Sequence, residues 1–91
     1  MTNQVHCAHI LVKTEQEAKA ILEDLADGAS FASVAQQKSM CPSRKNGGDL
    51  GTFGRGQMVK PFEKAAFELQ KGQISGPVKT EFGWHIIKRL E

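Results

Sequence analysis

The sequence predicts an α+β fold in which helices flank a small, largely antiparallel sheet, with the element order β–α–α–β–α–β–β. Two strongly apolar segments, typical of buried strands, lie near the ends of the chain at residues 5–13 and 84–90. Segments with helical spacing and capping residues lie between them. The small number of strands and the interruption at Pro77 favour a small mixed, largely antiparallel sheet.

The first half of the chain predicts one strand followed by two helices. Residues 5–13 contain an Ile-Leu-Val run, which is typical of a strand buried on both faces. Thr14 and Glu17 form a capping box that begins a helix, and Gly28 is suited to end it. Ser30 is suited to cap a second, shorter helix.

The middle of the chain predicts a loop, a short strand and a third helix. Residues 40–48 are rich in turn-forming residues and predict the loop, and residues 50–53 predict the strand. Pro61 suits the first turn of the third helix, which we expect Gly72 to close.

The end of the chain predicts an edge segment and a buried strand. Residues 74–79 are extended around Pro77, which is typical of a sheet edge. Residues 84–90 are apolar and predict the last strand. Because the first and last strands are the most apolar, we expect them to lie side by side at the sheet centre.

Length and composition predict one domain over residues 1–91, with 40% apolar and 24% charged residues. No apolar run is long enough for a transmembrane helix, and the first residues lack the pattern of a secretory signal. We therefore expect a cytoplasmic protein, although a domain from a larger secreted protein would look the same. The cysteines, Cys7 and Cys41, are expected to be free thiols.

The net charge of +2 does not indicate a nucleic-acid partner. Basic residues cluster modestly in the middle of the chain without interleaved aromatic residues, so we interpret them as a solvated surface. This cluster comprises Lys38, Arg44, Lys45, Arg55, Lys60 and Lys64.

A glycine-rich stretch at residues 47–61 carries apolar residues that are unusual for a loop. Five of its first ten residues are glycine, yet it lacks the spacing of a phosphate-binding loop. The apolar residues of this stretch predict the floor of a pocket that accepts a small ring; they are Leu50, Met58 and Phe62. Core packing explains their spacing equally well. Asp49, in the same stretch, is expected to form an Asx turn.

Two histidines, His9 and His85, lie in the two strands predicted to be central. If these strands pair, the imidazoles can face each other, with Thr80 or a thiol as a hydrogen-bond partner. Together with Cys7 and Cys41 the two histidines have the composition of a zinc site. No CxxC or HxxxH pair supports such a site, so we predict no metal and no cofactor.

Five blocks of sequence, in order, resemble the parvulin family of peptidyl-prolyl cis–trans isomerases, and the resemblance extends over residues 7–90. The blocks are residues 9–13, 48–51, 54–62, 76–78 and 82–87. The resemblance implies a four-stranded antiparallel sheet surrounded by helices. It also implies catalysis of Xaa–Pro isomerisation, without a cofactor, in proline-containing peptides and unfolded proteins.

The resemblance also implies the residues of the site. The proline pocket would be formed by Leu50, Gln57, Met58, Phe62 and Phe82. On its polar side, Cys41 would lie beside the peptide carbonyl, and His9 and His85 would pair with Thr80 alongside.

One departure from the phosphate-directed members of the family concerns selectivity. They carry a long basic loop after the first strand, whereas here Lys13 is followed directly by the helix cap at Thr14. Phe82 also stands where those members have a small polar residue. We therefore expect unphosphorylated substrates with an apolar or basic residue before proline.

Two other functions compete with the isomerase: a chaperone-like binding module with little turnover, and a metal-binding protein. The intact polar side of the site favours the enzyme. We expect a monomer that binds neither nucleic acid nor membrane.

Overall fold

The computed structural model describes residues 4–91 and confirms the α+β fold. Four strands form one antiparallel sheet in the order β2-β1-β4-β3, so the first and last strands lie at its centre as predicted. The strands are β1 (Gln4–Val12), β2 (Asp49–Gly54), β3 (Val78–Thr80) and β4 (Gly83–Arg89). The helices are α1 (Glu15–Ala26), α2 (Phe31–Lys38) and α3 (Lys60–Glu68), with a 3-10 helix at Pro42–Asn46.

The two central strands bury side chains on both faces of the sheet. On one face, Ile10 of β1 and Ile86 of β4 pack with residues of α1 and α2. On the other, Cys7 and Ile87 pack with Phe62 of α3. Alternate residues of a strand point to opposite faces, so a strand with two covered faces is predominantly apolar. This arrangement confirms the prediction that the first strand is buried on both sides.

The predicted helix starts are confirmed. The Thr14 hydroxyl accepts a hydrogen bond from the Glu17 N–H at 3.1 Å, and the Ser30 hydroxyl accepts one from the Ser33 N–H at 3.4 Å. Pro61 lies in the first turn of α3, where its missing N–H removes no helical hydrogen bond. None of the helices in the described part of the chain is long and apolar enough to cross a membrane.

Two local predictions were wrong. Residues 40–48 are not only a loop, because Pro42 begins a 3-10 helix in which the Arg44 N–H donates to the Cys41 carbonyl at 3.0 Å. Gly72 does not close α3, which ends at Glu68 with Leu69 already extended. The helix ends early because the Leu69 side chain packs into the apolar cluster and its carbonyl accepts a hydrogen bond from the Arg89 guanidinium.

The β1–β2 pairing ends part-way along β1, and this creates room for a site. The last paired residues are Ala8 and Asp49, after an irregularity in register. The His9 N–H then donates to the Gly48 carbonyl at 2.9 Å, and the segment after α2 continues along the same edge. From His9 onward, the edge of β1 that faced β2 is therefore bordered by a loop instead of a strand.

Candidate active site

A cavity of about 500 Å³ opens where β2 leaves β1. It brings together every predicted site residue except Thr80, which lies behind His85. The lining residues are His9, Leu11, Met40, Cys41, Pro42, Leu50, Gln57, Met58, Val59, Phe62, Phe82 and His85.

The apolar part of the cavity is built on the glycine-rich stretch and α3. Phe62 is buried, and its ring meets the imidazoles of His9 and His85 edge-on, with centroid distances of 5.5 and 5.2 Å. Met58 and Leu50 pack against the same cluster from the cavity side. Phe62 therefore belongs to the core and also lines the cavity, whereas Met58 and Leu50 are half-buried and line it from the edge of the core.

Two exposed apolar side chains extend this surface. Phe82 is 61% exposed and Met40 is 49% exposed, and both line the cavity. Large apolar side chains left in water beside a concave apolar site are typical of a binding surface.

The two imidazoles face each other as predicted. The Nδ1 atoms of His9 and His85 lie 2.9 Å apart, and both rings are buried. His85 pairs with Leu11 and His9 with Ile87, so the two rings are diagonal neighbours on one face of the sheet. The Thr80 hydroxyl lies 2.7 Å from His85 Nε2 and accepts a hydrogen bond from the Phe82 N–H at 3.1 Å. Among the described hydrogen bonds, none joins a thiol to either ring, so Thr80 is the partner.

Burial keeps this pair neutral. Desolvation lowers the pKa of both histidines from 6.5 to about 4, and for His9 the neighbouring His85 adds to the effect. A hydrogen bond between two Nδ1 atoms also needs one of them without a proton. Within the described residues, His9 Nε2 is buried without a partner. At neutral pH the pair therefore acts through hydrogen bonds and dipoles, not through a full charge.

The cysteines differ in environment. Both are free thiols, as predicted. Cys7 is fully buried, and desolvation raises the pKa of its thiol to about 11 although Arg89 lowers it in part, so it is unreactive. Cys41 is only half-buried and lines the cavity. The described residues contain no group of three or more His, Cys, Asp or Glu side chains placed to hold a metal ion.

Asp49 forms the predicted Asx turn and one contact that sequence reasoning missed. Its Oδ1 accepts a hydrogen bond from the Gly51 N–H at 2.7 Å and lies 2.7 Å from His6 Nε2. The Gly51 N–H is the largest cause of the lowered pKa of the Asp49 carboxyl; burial opposes it, and the hydrogen bond and charge of His6 lower the pKa further. The His6 contact joins residues 43 positions apart, and a pattern of neighbouring residues carries no signal for it.

Four residues of the cavity were also missed: Leu11, Met40, Pro42 and Val59. Leu11 could have been found, since it is two residues after His9 and shares its strand face. The other three directly adjoin the predicted residues Cys41 and Met58 in sequence.

A family model of the rotamase, or PPIC-type PPIase, domain matches residues 9–91. The chain belongs to this family. A relative of this PPIase domain is the foldase protein PrsA of Geobacillus sp. (strain WCH70), which is 54% identical over 86 residues. The match covers 93% of this chain and 31% of the foldase, so the domain spans about a third of that relative's length.

Solved structures agree. PrsA from Bacillus cereus superposes with a TM-score of 0.95 at 50% identity, covering 98% of this chain and 35% of that one. NmPin, the parvulin of Nitrosopumilus maritimus, superposes with a TM-score of 0.90 at 50% identity, covering 100% of this chain and 99% of that one. These findings confirm the parvulin resemblance and the assignment as a peptidyl-prolyl cis–trans isomerase domain.

Proposed function

We propose that this PPIase domain isomerises Xaa–Pro bonds of unphosphorylated peptides and unfolded proteins, with the proline ring held in the cavity against Phe62, Met58 and Leu50. The observation that carries the proposal is the meeting of an apolar pocket with a neutral, hydrogen-bonded imidazole pair. Amide rotation has a barrier of about 18–20 kcal/mol and breaks no bond, so a grip on the ring and control of the carbonyl are sufficient.

The proposed mechanism is non-covalent twisting of the amide. The apolar floor removes water from the bond, which weakens the resonance that keeps the amide planar. Gln57 and Phe82 form part of the cavity wall around the substrate, and Cys41 lies beside the carbonyl as it rotates. The Thr80–His85–His9 chain of hydrogen bonds holds the polar side in place and adjusts its dipoles.

The proposed preference for unphosphorylated substrates rests on the charge of the cavity lining. Among the described residues that line the cavity, none carries a charged side chain at neutral pH. Inside the cavity, the dianion of a phosphoserine would find none of the arginine or lysine partners that such groups require. The exposed rings and chains of Phe82 and Met40 instead favour an apolar residue before proline.

A chaperone-like binding module is the second candidate. The exposure of Phe82 and Met40 beside the cavity favours it, since unfolded segments are rich in apolar side chains. The name of the PrsA relatives, foldase, is compatible with either function.

We further propose that residues 1–91 act as one domain, that this domain is monomeric, and that it works in the cytoplasm without nucleic-acid or membrane partners. The two free thiols support a reducing compartment. Light scattering of the purified chain tests whether it is monomeric in solution.

The isomerase is tested by two-dimensional exchange NMR on a short Leu-Pro peptide with catalytic amounts of protein. We expect accelerated cis–trans exchange. Met58→Ala should lower kcat/KM by about tenfold, because it removes apolar contacts worth on the order of 1–2 kcal/mol. Ile74→Ala is the matched control, since Ile74 is an exposed apolar residue that does not line the cavity.

Two outcomes would contradict the proposal. Chemical-shift changes at the cavity residues without accelerated exchange would favour the binding module. A large gain in kcat/KM on a phosphoserine-proline peptide would contradict the proposed substrate class.

Substitution of Cys41 separates twisting from covalent catalysis. Cys41→Asp should lower kcat/KM yet leave measurable catalysis, because an aspartate preserves a polar group beside the carbonyl. Loss of a true nucleophile costs on the order of 10⁶-fold. Exchange NMR on a variant shown to be folded measures the difference, and complete inactivity would refute the twisting mechanism.

A further inference from the structure

Ser39 is a buried polar residue that the proposed mechanism does not use. It is 2% exposed and lies at the C-terminal end of α2, directly before Met40 and Cys41 in the wall of the cavity. Its own N–H donates to the Ala35 carbonyl at 3.0 Å, so its backbone is held by the helix.

The Ser39 hydroxyl links β1 to the Met40–Cys41 wall of the cavity. Its oxygen accepts a hydrogen bond from the Leu11 N–H at 3.1 Å and another from the Cys41 N–H at 3.3 Å. The Met40 N–H completes the connection by donating to the Leu11 carbonyl at 2.8 Å. Ser39 and Met40 thus pair with the edge of β1 beyond the point where β2 has left it.

We propose that Ser39 is a positioning residue for the isomerase reaction: its hydroxyl fixes the Met40–Cys41 wall against the strand that carries His9 and Leu11. This inference rests on the proposed function, because the wall matters only if substrate lies against it. An oxygen is required at this position, since only an acceptor with two lone pairs can satisfy both N–H groups. Without it, the two groups lose their partner and the wall can move away from the strand.

A purely structural role is the alternative, and Ser75 separates the two. Ser75 is also a buried serine, 8% exposed, and its hydroxyl accepts a hydrogen bond from the Ile87 N–H at 3.0 Å. It does not line the cavity or adjoin a residue that does. Ser75→Ala therefore removes a comparable buried hydrogen bond from β4 without touching the wall.

The experiment compares Ser39→Ala with Ser75→Ala on the full chain, at a temperature where both are folded. Ser39→Ala should lower kcat/KM for the Leu-Pro peptide by about 10- to 100-fold, as expected for a displaced site wall, with little change in Ser75→Ala. Iodoacetamide should alkylate Cys41 about tenfold faster in Ser39→Ala only, because local opening of the wall then no longer breaks the hydrogen bonds to the Ser39 hydroxyl. Cys7 does not interfere because it is fully buried.

The Ser39→Thr and Ser39→Val pair covers the case in which Ser39→Ala does not fold. Threonine and valine have similar volume, so any overpacking is shared and only the hydroxyl differs. The threonine variant should retain slow alkylation and higher kcat/KM than the valine variant.

The outcomes distinguish this inference from the proposed function. An alkylation rate of Cys41 that is equal in wild type, Ser39→Ala and Ser75→Ala overturns the positioning role, whatever the activity. Equal losses of kcat/KM in the two serine variants also overturn it. A wild-type protein that does not accelerate exchange overturns the proposed function instead, while the alkylation rates still report on the wall.

Discussion

Gly48→Ala should destabilise the fold by roughly 3 kcal/mol or more, the sum of the costs of left-handed backbone strain and of a buried steric clash. Gly48 has φ +86°, a conformation that residues with a Cβ rarely adopt. An added Cβ would lie far inside van der Waals contact with the His9 carbonyl oxygen and 3.2 Å from the Ala35 Cβ. Neither neighbour can yield easily, since one is backbone of the central strand and the other belongs to the core.

Gly48→Ala should disturb the active site as well as lower the stability of the fold. The Gly48 carbonyl accepts the His9 N–H, so a shift of this turn moves the strand that carries an imidazole of the pair. A domain of this size is stabilised by only about 5–15 kcal/mol in total, so the variant should unfold at a much lower urea concentration or fail to fold.

Gly51→Ala is the matched control for this prediction. Gly51 also has a positive φ, +75°, but an added Cβ would meet no atom within 4 Å. It should therefore lose only about 1–2 kcal/mol, the cost of the left-handed conformation. Urea denaturation of both variants measures the difference, and equal midpoints would show that the contact with His9 contributes nothing.

The sequence was most informative where structure is decided by neighbouring residues. The helix starts at Thr14 and Ser30 depend on hydrogen bonds to groups three residues away, so capping residues reveal them. The central strands are recognisable because burial on both faces favours apolar side chains along most of their length. The pairing of the imidazoles is consistent with that placement, since His9 and His85 each directly precede an apolar run in these strands.

The remaining features depend on contacts between distant parts of the chain. The contact of His6 with Asp49 and that of Leu11 with Ser39 join residues 43 and 28 positions apart. Nothing in the local pattern of either partner specifies such a contact. The end of α3 was misjudged for the same reason, because the Arg89 side chain, far along the sequence, binds the Leu69 carbonyl.

The free energy of unfolding should fall by roughly 3–4 kcal/mol between pH 7 and pH 5. In the folded protein burial lowers the pKa of His9 and His85 to about 4, whereas unfolded histidine has its ordinary value of 6.5. The unfolded chain therefore binds more protons between these values. The stability contributed by the neutral pair is complete above pH 6.5 and is lost as the pH falls through this window toward 4.

Asp49 affects the free energy of unfolding at a lower pH than the two histidines do. The Gly51 N–H and His6 keep the pKa of its carboxyl below the ordinary 3.8. The stability that this carboxylate contributes is present above that value and is lost only in more acidic solution. The loss between pH 7 and pH 5 can therefore be attributed to the imidazole pair, because Asp49 stays ionised in both the folded and the unfolded chain over that range.

Urea denaturation at several pH values measures this loss. The slope of the free energy of unfolding against pH reports the uptake of about two protons on unfolding near the middle of the window. His9→Phe keeps a ring beside Phe62 but removes one titrating group and the partner of His85 Nδ1, so it should be less stable at neutral pH and show about half the slope. NMR titration of the imidazole C–H signals gives an independent measurement, in which both rings should remain neutral well below pH 6.5. A ring that titrates near 6.5 while the protein stays folded would contradict a buried neutral pair, because the Nδ1–Nδ1 hydrogen bond cannot hold a proton on both nitrogens.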